Sequence, residues 1–233
     1  MNPNEHGKRV SGLFDNIATW YDFLNHFLSL GQDIYWRNRL VRTMRVGSTG
    51  VVLDLAAGTL DVSREILRQN PGLKVLSMDF SRAMLCRGKE KVAHQPDIFP
   101  VQADGRALPL PDGCVDTVTI AFGIRNILPR AEAYREILRV LAPGGRLCIL
   151  EFGTGQARIW QGAYNFYLGT VLPRIGRFFS KNPEAYQYLA DTILAFPNAR
   201  VLAAELRDAG FNQVGCQALS SGIVYLHVAT KPS

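Results

Sequence analysis

Several familiar signals are missing from this 233-residue chain, and each absence removes a class of function. No apolar run comes near the roughly 20 residues that a membrane-spanning helix requires. The longest, residues 51–57 and 115–124, have the length of strands and carry polar or glycine breaks. The opening MNPNEHGKRVSG lacks the apolar core of a signal peptide, so the chain is expected to be cytoplasmic. Cysteine and histidine are scarce. Cys86, Cys114, Cys148 and Cys216 stand far apart without CxxC spacing, and His6, His26, His94 and His227 are equally scattered. Neither a metal site nor a disulfide framework is expected from them. Internal repeats, low-complexity linkers and nucleic-acid-binding motifs are absent too.

What is present is the composition of an ordinary globular domain, 47% hydrophobic and 20% charged. The length suits a single α/β domain with extra helices. The net charge is +6, with loose basic groups at Arg37, Arg39, Arg42 and Arg45 and at Arg174, Arg177 and Lys181. Such a balance means either a solvated basic surface or peripheral contact with an anionic membrane.

Residues 12–46 have helical spacing. Leu13, Ile17, Tyr21, Leu24 and Leu28 recur every three or four positions, Gly31 breaks the pattern, and Trp36, Leu40 and Met44 mark a second helix. From Val51 the rhythm changes to short apolar runs alternating with amphipathic segments: VVLDLA, KVLSMDF, IFPVQAD, VDTVTIAF and RLCILEF, with helices between them. This alternation implies a parallel sheet with right-handed crossovers, and near-continuous apolar strands imply a sheet covered on both faces. The core is expected over 51–155. A helical insertion follows over 156–209, with Pro173, Pro183 and Pro197 near segment boundaries. Closing strands follow over 210–230, FNQVGCQAL and GIVYLHVAT forming a hairpin.

Three acids stand at or just after successive strands: Asp54, Asp79 and Asp104. Ligands of open α/β sheets bind beyond the carboxyl ends of the strands, so the three are expected to face one crevice. The small residues of Ala56-Ala57-Gly58-Thr59 let backbone approach a ligand closely. Asp79 is placed to bind a ribose diol, and Asp104 to accept from an adenine amino group with Gly105 beside it. Ala56 and Leu60 stand where a phosphate-binding glycine fingerprint would prefer glycine, which favours a nucleoside without pyrophosphate.

Read together, LDLAAGT, LPLPDGCVDTVTIAFGIRNI, LRVLAPGGRLCILEF, the N-terminal FDNIATWYDFLNHFLSLGQDIYWR and the later VLPRIGRFF and YQYLADTI resemble the ubiquinone/menaquinone biosynthesis C-methyltransferase family, from about Phe14 to about Thr230. The resemblance implies a class I methyltransferase fold, a Rossmann-like and mostly parallel seven-stranded sheet with a C-terminal antiparallel hairpin. It also implies S-adenosylmethionine (SAM) as cofactor. By the same resemblance Thr59, Asp79, Asp104 and Gly105 bind the cofactor, with Asp54 and Gly58 in the first loop. Phe122–Asn126 and Tyr21–Asn25 flank the methyl acceptor, with Phe122 and Asn25 as substrate contacts.

The implied reaction is C-methylation of a polyprenylated quinol, demethylmenaquinol or a methoxy-polyprenyl benzoquinol. Another small aromatic or lipid acceptor is the alternative within the class, and a non-catalytic SAM-binding accessory subunit the alternative outside it. A nucleic-acid methyltransferase is disfavoured, because FGIRN stands after strand four in place of the Asn/Asp-Pro-Pro-aromatic motif of amino-methylating DNA enzymes. Arg125 is expected to stabilise a phenolate, Asn126 to hold a ring oxygen, Tyr21 to relay a proton and Asp22 to orient or accept one. Residues 163–179, dense in aromatic and branched side chains, are read as a lid or membrane-facing tail channel, or as a dimer interface. The partners implied are the quinol, a membrane surface, and either a second copy or a quinone-synthesis complex. Three positions depart from the family pattern. Leu60 replaces the second glycine of Gly-Thr-Gly-Asp, and either narrows the cofactor site or points into the sheet–helix interface. Ala142 and Gly153 stand where lysine and serine are common.

Overall fold

The chain was analysed as a computed structural model, which describes residues 12, 26, 29–47, 49–153, 188 and 191–233. The apolar runs become strands that alternate their side chains between two cores. Val52 of β1 (Val51–Leu55) packs in one cluster while Leu53 and Leu55 pack in the other. In β5 (Leu141–Phe152), Leu147 and Ile149 face one way, and Cys148 and Leu150 the other. This two-sided burial explains why the strands read as continuous hydrophobic runs.

Seven strands form one sheet in the order β3-β2-β1-β4-β5-β7-β6. Here β2 is Lys74–Asp79, β3 Ile98–Gln102, β4 Val115–Ala121, β6 Asn212–Leu219 and β7 Val224–Thr230. Strands β1 to β5 pair in parallel, and β7 runs antiparallel to both β5 and β6. The mostly parallel sheet with an antiparallel C-terminal hairpin is therefore the observed architecture. On one face lie α1 (Gln32–Arg42), α2 (Asp61–Gln69) and α3 (Arg82–Lys91), which contribute Trp36, Leu40, Ile66 and Leu85 to one core. On the other lie α4 (Arg130–Val140) and α5 (Ala199–Asp208), with Tyr134, Ile137, Leu202 and Leu206.

Local chemistry sets the boundaries. The Ser81 hydroxyl accepts from the Met84 amide at 3.1 Å and caps α3. Gly31, at φ 77°, opens α1 where the sequence reading put a break. That helix ends at Arg42, so Met44 lies beyond it; the Thr43 hydroxyl donates to the Leu40 carbonyl and closes the last turn. Pro143, Gly144 and Gly145, residues that ordinarily make a turn, do not separate helix from strand here. They are absorbed into β5 as an irregularity, with Val115 opposite Leu141 and Thr117 opposite Arg146. Much of the insertion, residues 163–179 included, lies outside the described residues, as do Tyr21, Asp22 and Asn25.

Candidate active site

The strand order reverses between β1 and β4, and the loops leaving these two strands meet there. A Cβ placed on Gly123 would lie 2.4 Å from Ala56 Cβ, so only glycine lets the β4 loop close against the β1 loop. The β1 loop winds through left-handed positions at Ala56 (φ 56°), Gly58 (φ 53°) and Leu60 (φ 66°). It is held to β2 by the Ala57 amide, 3.1 Å from the Met78 carbonyl, and by the Gly58 amide, 2.8 Å from Asp79 Oδ2. Asp79 Oδ1 accepts from the Ser81 amide at 2.8 Å.

The three strand-end acids do not behave alike. Asp79 and Asp104 are half-buried at the ends of their strands, but Asp54 is 1% exposed, so the expectation that all three face one crevice is corrected for Asp54. Its oxygens accept from the Ser63 hydroxyl at 2.6 Å and the Thr119 hydroxyl at 2.9 Å, and Ser63 also bonds Ser77 at 2.7 Å. Asp54 therefore braces α2 against β1 and β4 from inside. Thr59 is likewise buried at 3% exposure. Asp104 is gripped by the Arg106 guanidinium, with Nε 3.0 Å from Oδ1 and Nη2 2.6 Å from Oδ2. That fork, which sequence reasoning missed, holds its carboxyl below the usual range. Gly105, buried beside it, would meet Ile127 and Leu55 with a Cβ.

Leu60, the departure from the family loop, is fully buried among Val62, Ile66 and Leu85. Its side chain lies over Gly88 of α3, where a Cβ would come within 2.5 Å of Leu60 Cγ. It points into the helix interface and leaves the small-residue cradle of the loop open. That cradle of Ala56, Ala57 and Gly58, without a lysine or arginine in the loop, fits a nucleoside cofactor that carries no phosphate.

In the loop after β4, Phe122 holds a left-handed backbone at φ 56° and stacks on Phe152, ring centroids 4.5 Å apart, with Trp36 of α1 at 6.0 Å. Arg125 follows in the 3-10 turn Ile124–Asn126. Its Nη1 lies 2.6 Å from Glu151 Oε1 and 2.6 Å from the Phe122 carbonyl, and its guanidinium lies over the Phe152 ring at 5.7 Å. The two side chains are only 3% and 1% exposed. This corrects the expectation for Arg125: its charge is neutralised by Glu151, and it clamps the β4 and β5 ends rather than presenting a bare cation to a phenolate. Glu151 was missed, although it ends an apolar strand by the same rule that picked out Asp54, Asp79 and Asp104. Asn126 Oδ1 accepts from the Tyr188 hydroxyl at 3.1 Å, which ties Tyr188 to the turn. Arg37 of α1 bridges Asp33 at 2.6 Å and Asp61 at 3.2 Å, tying the N-terminal helix to the first residue of α2.

Burial pushes the Asp54 carboxyl up to about 6, against the pull of the Ser63 and Thr119 hydroxyls. A carboxyl raised from 3.8 in this way contributes stability below pH 3.8 that is lost as pH rises through about 6. The loss is about 3 kcal/mol at 1.36 kcal/mol per unit. Asp54→Asn removes this dependence. In urea unfolding at pH 4 to 8, the stability of the native chain relative to the variant should fall by about that amount as pH rises. A difference that stays flat or rises with pH refutes the assignment.

Known proteins supply the family. The ubiE/COQ5 methyltransferase family profile matches residues 2–231. The "Ubiquinone/menaquinone biosynthesis C-methyltransferase UbiE" of Geobacter sulfurreducens is 42% identical over 235 residues, covering 97% of this chain and 90% of its own. The "Demethylmenaquinone methyltransferase" of Mycobacterium marinum is 42% identical over 223 residues, covering 96% and 94%. Among solved structures, a SAM-dependent methyltransferase from Thermotoga maritima aligns with a TM-score of 0.65 at 16% identity, covering 95% of this chain and 99% of its own. One from Aquifex aeolicus aligns at 0.61 and 18%, covering 84% and 89%. At such identities the two structures speak for the fold alone, which is that of class I SAM-dependent methyltransferases. On the profile match and the two curated relatives, the chain belongs to the ubiE/COQ5 methyltransferase family.

Proposed function

We propose that this chain is a SAM-dependent C-methyltransferase acting on the ring of a reduced polyprenyl quinone precursor, demethylmenaquinol before a methoxy-polyprenyl benzoquinol. The observation that supports the reading is the closure of the Phe122–Asn126 turn on the small-residue loop at Ala56, with the Phe122 and Phe152 rings beside it. SAM, when bound, supplies an electrophilic methyl group on a sulfonium.

The residues present fit that cofactor. Asp79 and the Asp104–Arg106 pair offer the diol and amino contacts, and Gly105 lets the chain beside them pack closely on Leu55 and Ile127. A ring carbon is a weak nucleophile until a hydroxyl ortho or para to it loses its proton, so the acceptor is the reduced quinol. Methyl transfer would form the ring carbon–methyl bond as the sulfur–methyl bond breaks, and the ring proton would pass to Tyr21 or Asp22. Holding the two reactants in line accounts for up to roughly 7–11 kcal/mol of the barrier. Phe122 and Phe152 wall the ring, and Asn126, oriented by Tyr188, holds a ring oxygen. Arg125 and Glu151 fix the strained Phe122 backbone through its carbonyl. Tyr21 and Asp22 keep the proton-transfer roles assigned from the sequence.

The test is methyl transfer from radiolabelled SAM to chemically reduced demethylmenaquinol and, separately, to the reduced benzoquinol, with both oxidised quinones as controls. Incorporation into a reduced acceptor alone is expected. Cofactor binding by calorimetry without transfer to either quinol refutes the acceptor; no binding at all favours an accessory role.

A further inference from the structure

Helix α1 carries a surface that the active site does not use. Among the described residues, the three most exposed large apolar side chains are Leu30 at 85%, Ile34 at 56% and Tyr35 at 54%, together at the start of this helix. Leu30 also holds a left-handed backbone, φ 51°, which costs an L-residue other than glycine or asparagine roughly 1–2 kcal/mol. A strained, solvent-facing leucine gains nothing from packing inside this chain. Farther along, Tyr35, Arg39 and Arg42 share one face at i, i+4 and i+7, and the exposed Arg45 follows the helix end.

The direction of α1 gives this face meaning. Near its start, Trp36 packs on Phe122 and Phe152 at the carboxyl ends of β4 and β5, and its indole donates to the Ser220 hydroxyl at 2.8 Å. Beyond its end, the Arg45 amide meets the Thr117 hydroxyl at 3.2 Å near the start of β4. The apolar tip therefore lies at the rim of the acceptor site. Arg39 and Arg42 stand about 6 and 10 Å farther along the helix at 1.5 Å per residue. An interfacial helix sinks its apolar side roughly 5–10 Å into the headgroup boundary and meets anionic lipids with its cations.

We infer that Leu30, Ile34 and Tyr35 form the face by which this protein seats on an anionic lipid surface, with Arg39 and Arg42 at the headgroups and the acceptor site opening toward the lipid. The inference rests on the polyprenyl quinol reading for its purpose and on the exposed face for its place. No helix among the described residues is long and apolar enough to cross a membrane.

The experiment is co-sedimentation of the full chain with phosphatidylglycerol vesicles and with phosphatidylcholine vesicles, for the native chain and for the triple variant Leu30→Asn, Ile34→Asn, Tyr35→Ser. Asparagine tolerates the left-handed position, so the variant should fold; its melting temperature checks this. The native chain should prefer the anionic vesicles, and the variant should bind them on the order of tenfold less. Methyl transfer to a short-chain quinol in vesicle-free buffer should be unchanged by the variant, while transfer to a long-chain quinol held in vesicles should fall. Equal vesicle binding by the two proteins overturns the inference. So does a native dimer that the substitutions dissociate while vesicle binding stays intact, because the face would then seat a second copy. Face-dependent vesicle binding with no transfer to either quinol keeps the lipid surface and refutes the quinol reading instead.

Discussion

Replacing Arg125 by alanine should lower the unfolding free energy by about 3–5 kcal/mol and abolish methyl transfer. The physical cause is Glu151. With its partner gone, a carboxylate 1% exposed keeps the Phe152 amide at 3.0 Å but loses its compensating charge. The Phe122 carbonyl loses its donor at the same time, so the left-handed turn that closes the acceptor site is released. In a chain of this size, each kcal/mol lost lowers the melting temperature by roughly 2–4 °C. The double substitution Arg125→Met with Glu151→Gln removes both charges and should recover most of the stability, because a buried ion pair roughly breaks even against matched neutral groups. Methyl transfer should stay low in the double variant if the guanidinium positions Phe122. Full activity in the double variant would show that the pair serves stability alone. A single variant as stable as the native chain would refute the buried ion pair. Calorimetric SAM binding separates the two effects: it should survive in the double variant, since no bond from Arg125 reaches the cofactor loop.

The second large effect is expected at Gly88, and its sign is the diagnostic. Alanine in a helix interior ordinarily gains about 1 kcal/mol over glycine. Here the added Cβ would stand 2.5 Å from Leu60 Cγ and 2.9 Å from the Thr59 backbone carbon, so Gly88→Ala should instead lose about 1–3 kcal/mol and weaken SAM binding by shifting the loop. Leu60→Gly alone relieves the left-handed backbone, roughly 1–2 kcal/mol, but empties a fully buried site. That vacancy costs about 2–5 kcal/mol by comparison with leucine-to-alanine cores. Combined, the two changes restore the glycine that the loop's backbone prefers and fill the space with the alanine methyl. The double variant should therefore be more stable than the sum of the singles implies, with SAM affinity returning toward native. Strict additivity in both stability and affinity would show that Leu60 and Gly88 do not share one space.

These two sites also mark how much was legible in advance. The parallel sheet was readable because each strand is apolar on both faces, and the closing hairpin because two extended runs flank Ser220–Gly222. The small-residue loop and the acids at strand ends were readable because residue type and position along a βα unit confine them to one edge of the sheet. The same rule covers Glu151, but not its pairing with Arg125. That pairing depends on which strand neighbours β4, and only the topology supplies this. Asp54, Asp79 and Asp104 look equivalent as letters. Their environments differ because Ser63 and Thr119 enclose the first, loop amides hold the second and a guanidinium fork holds the third.

The sequence by itself determined the fold class, the place of the small-residue loop after β1 and the family, since these rest on periodicity and on the order of short motifs along the chain. Tertiary structure decided where each side chain spends its charge or its bulk. It turned Leu60 into the helix interface because Gly88 leaves space there, neutralised Arg125 because β5 brings Glu151 alongside, and buried Asp54 because two hydroxyls from α2 and β4 close over it. The physical reason is range. Periodicity and turn chemistry act over a few residues, while burial and charge pairing are set by partners that meet only when the sheet is assembled.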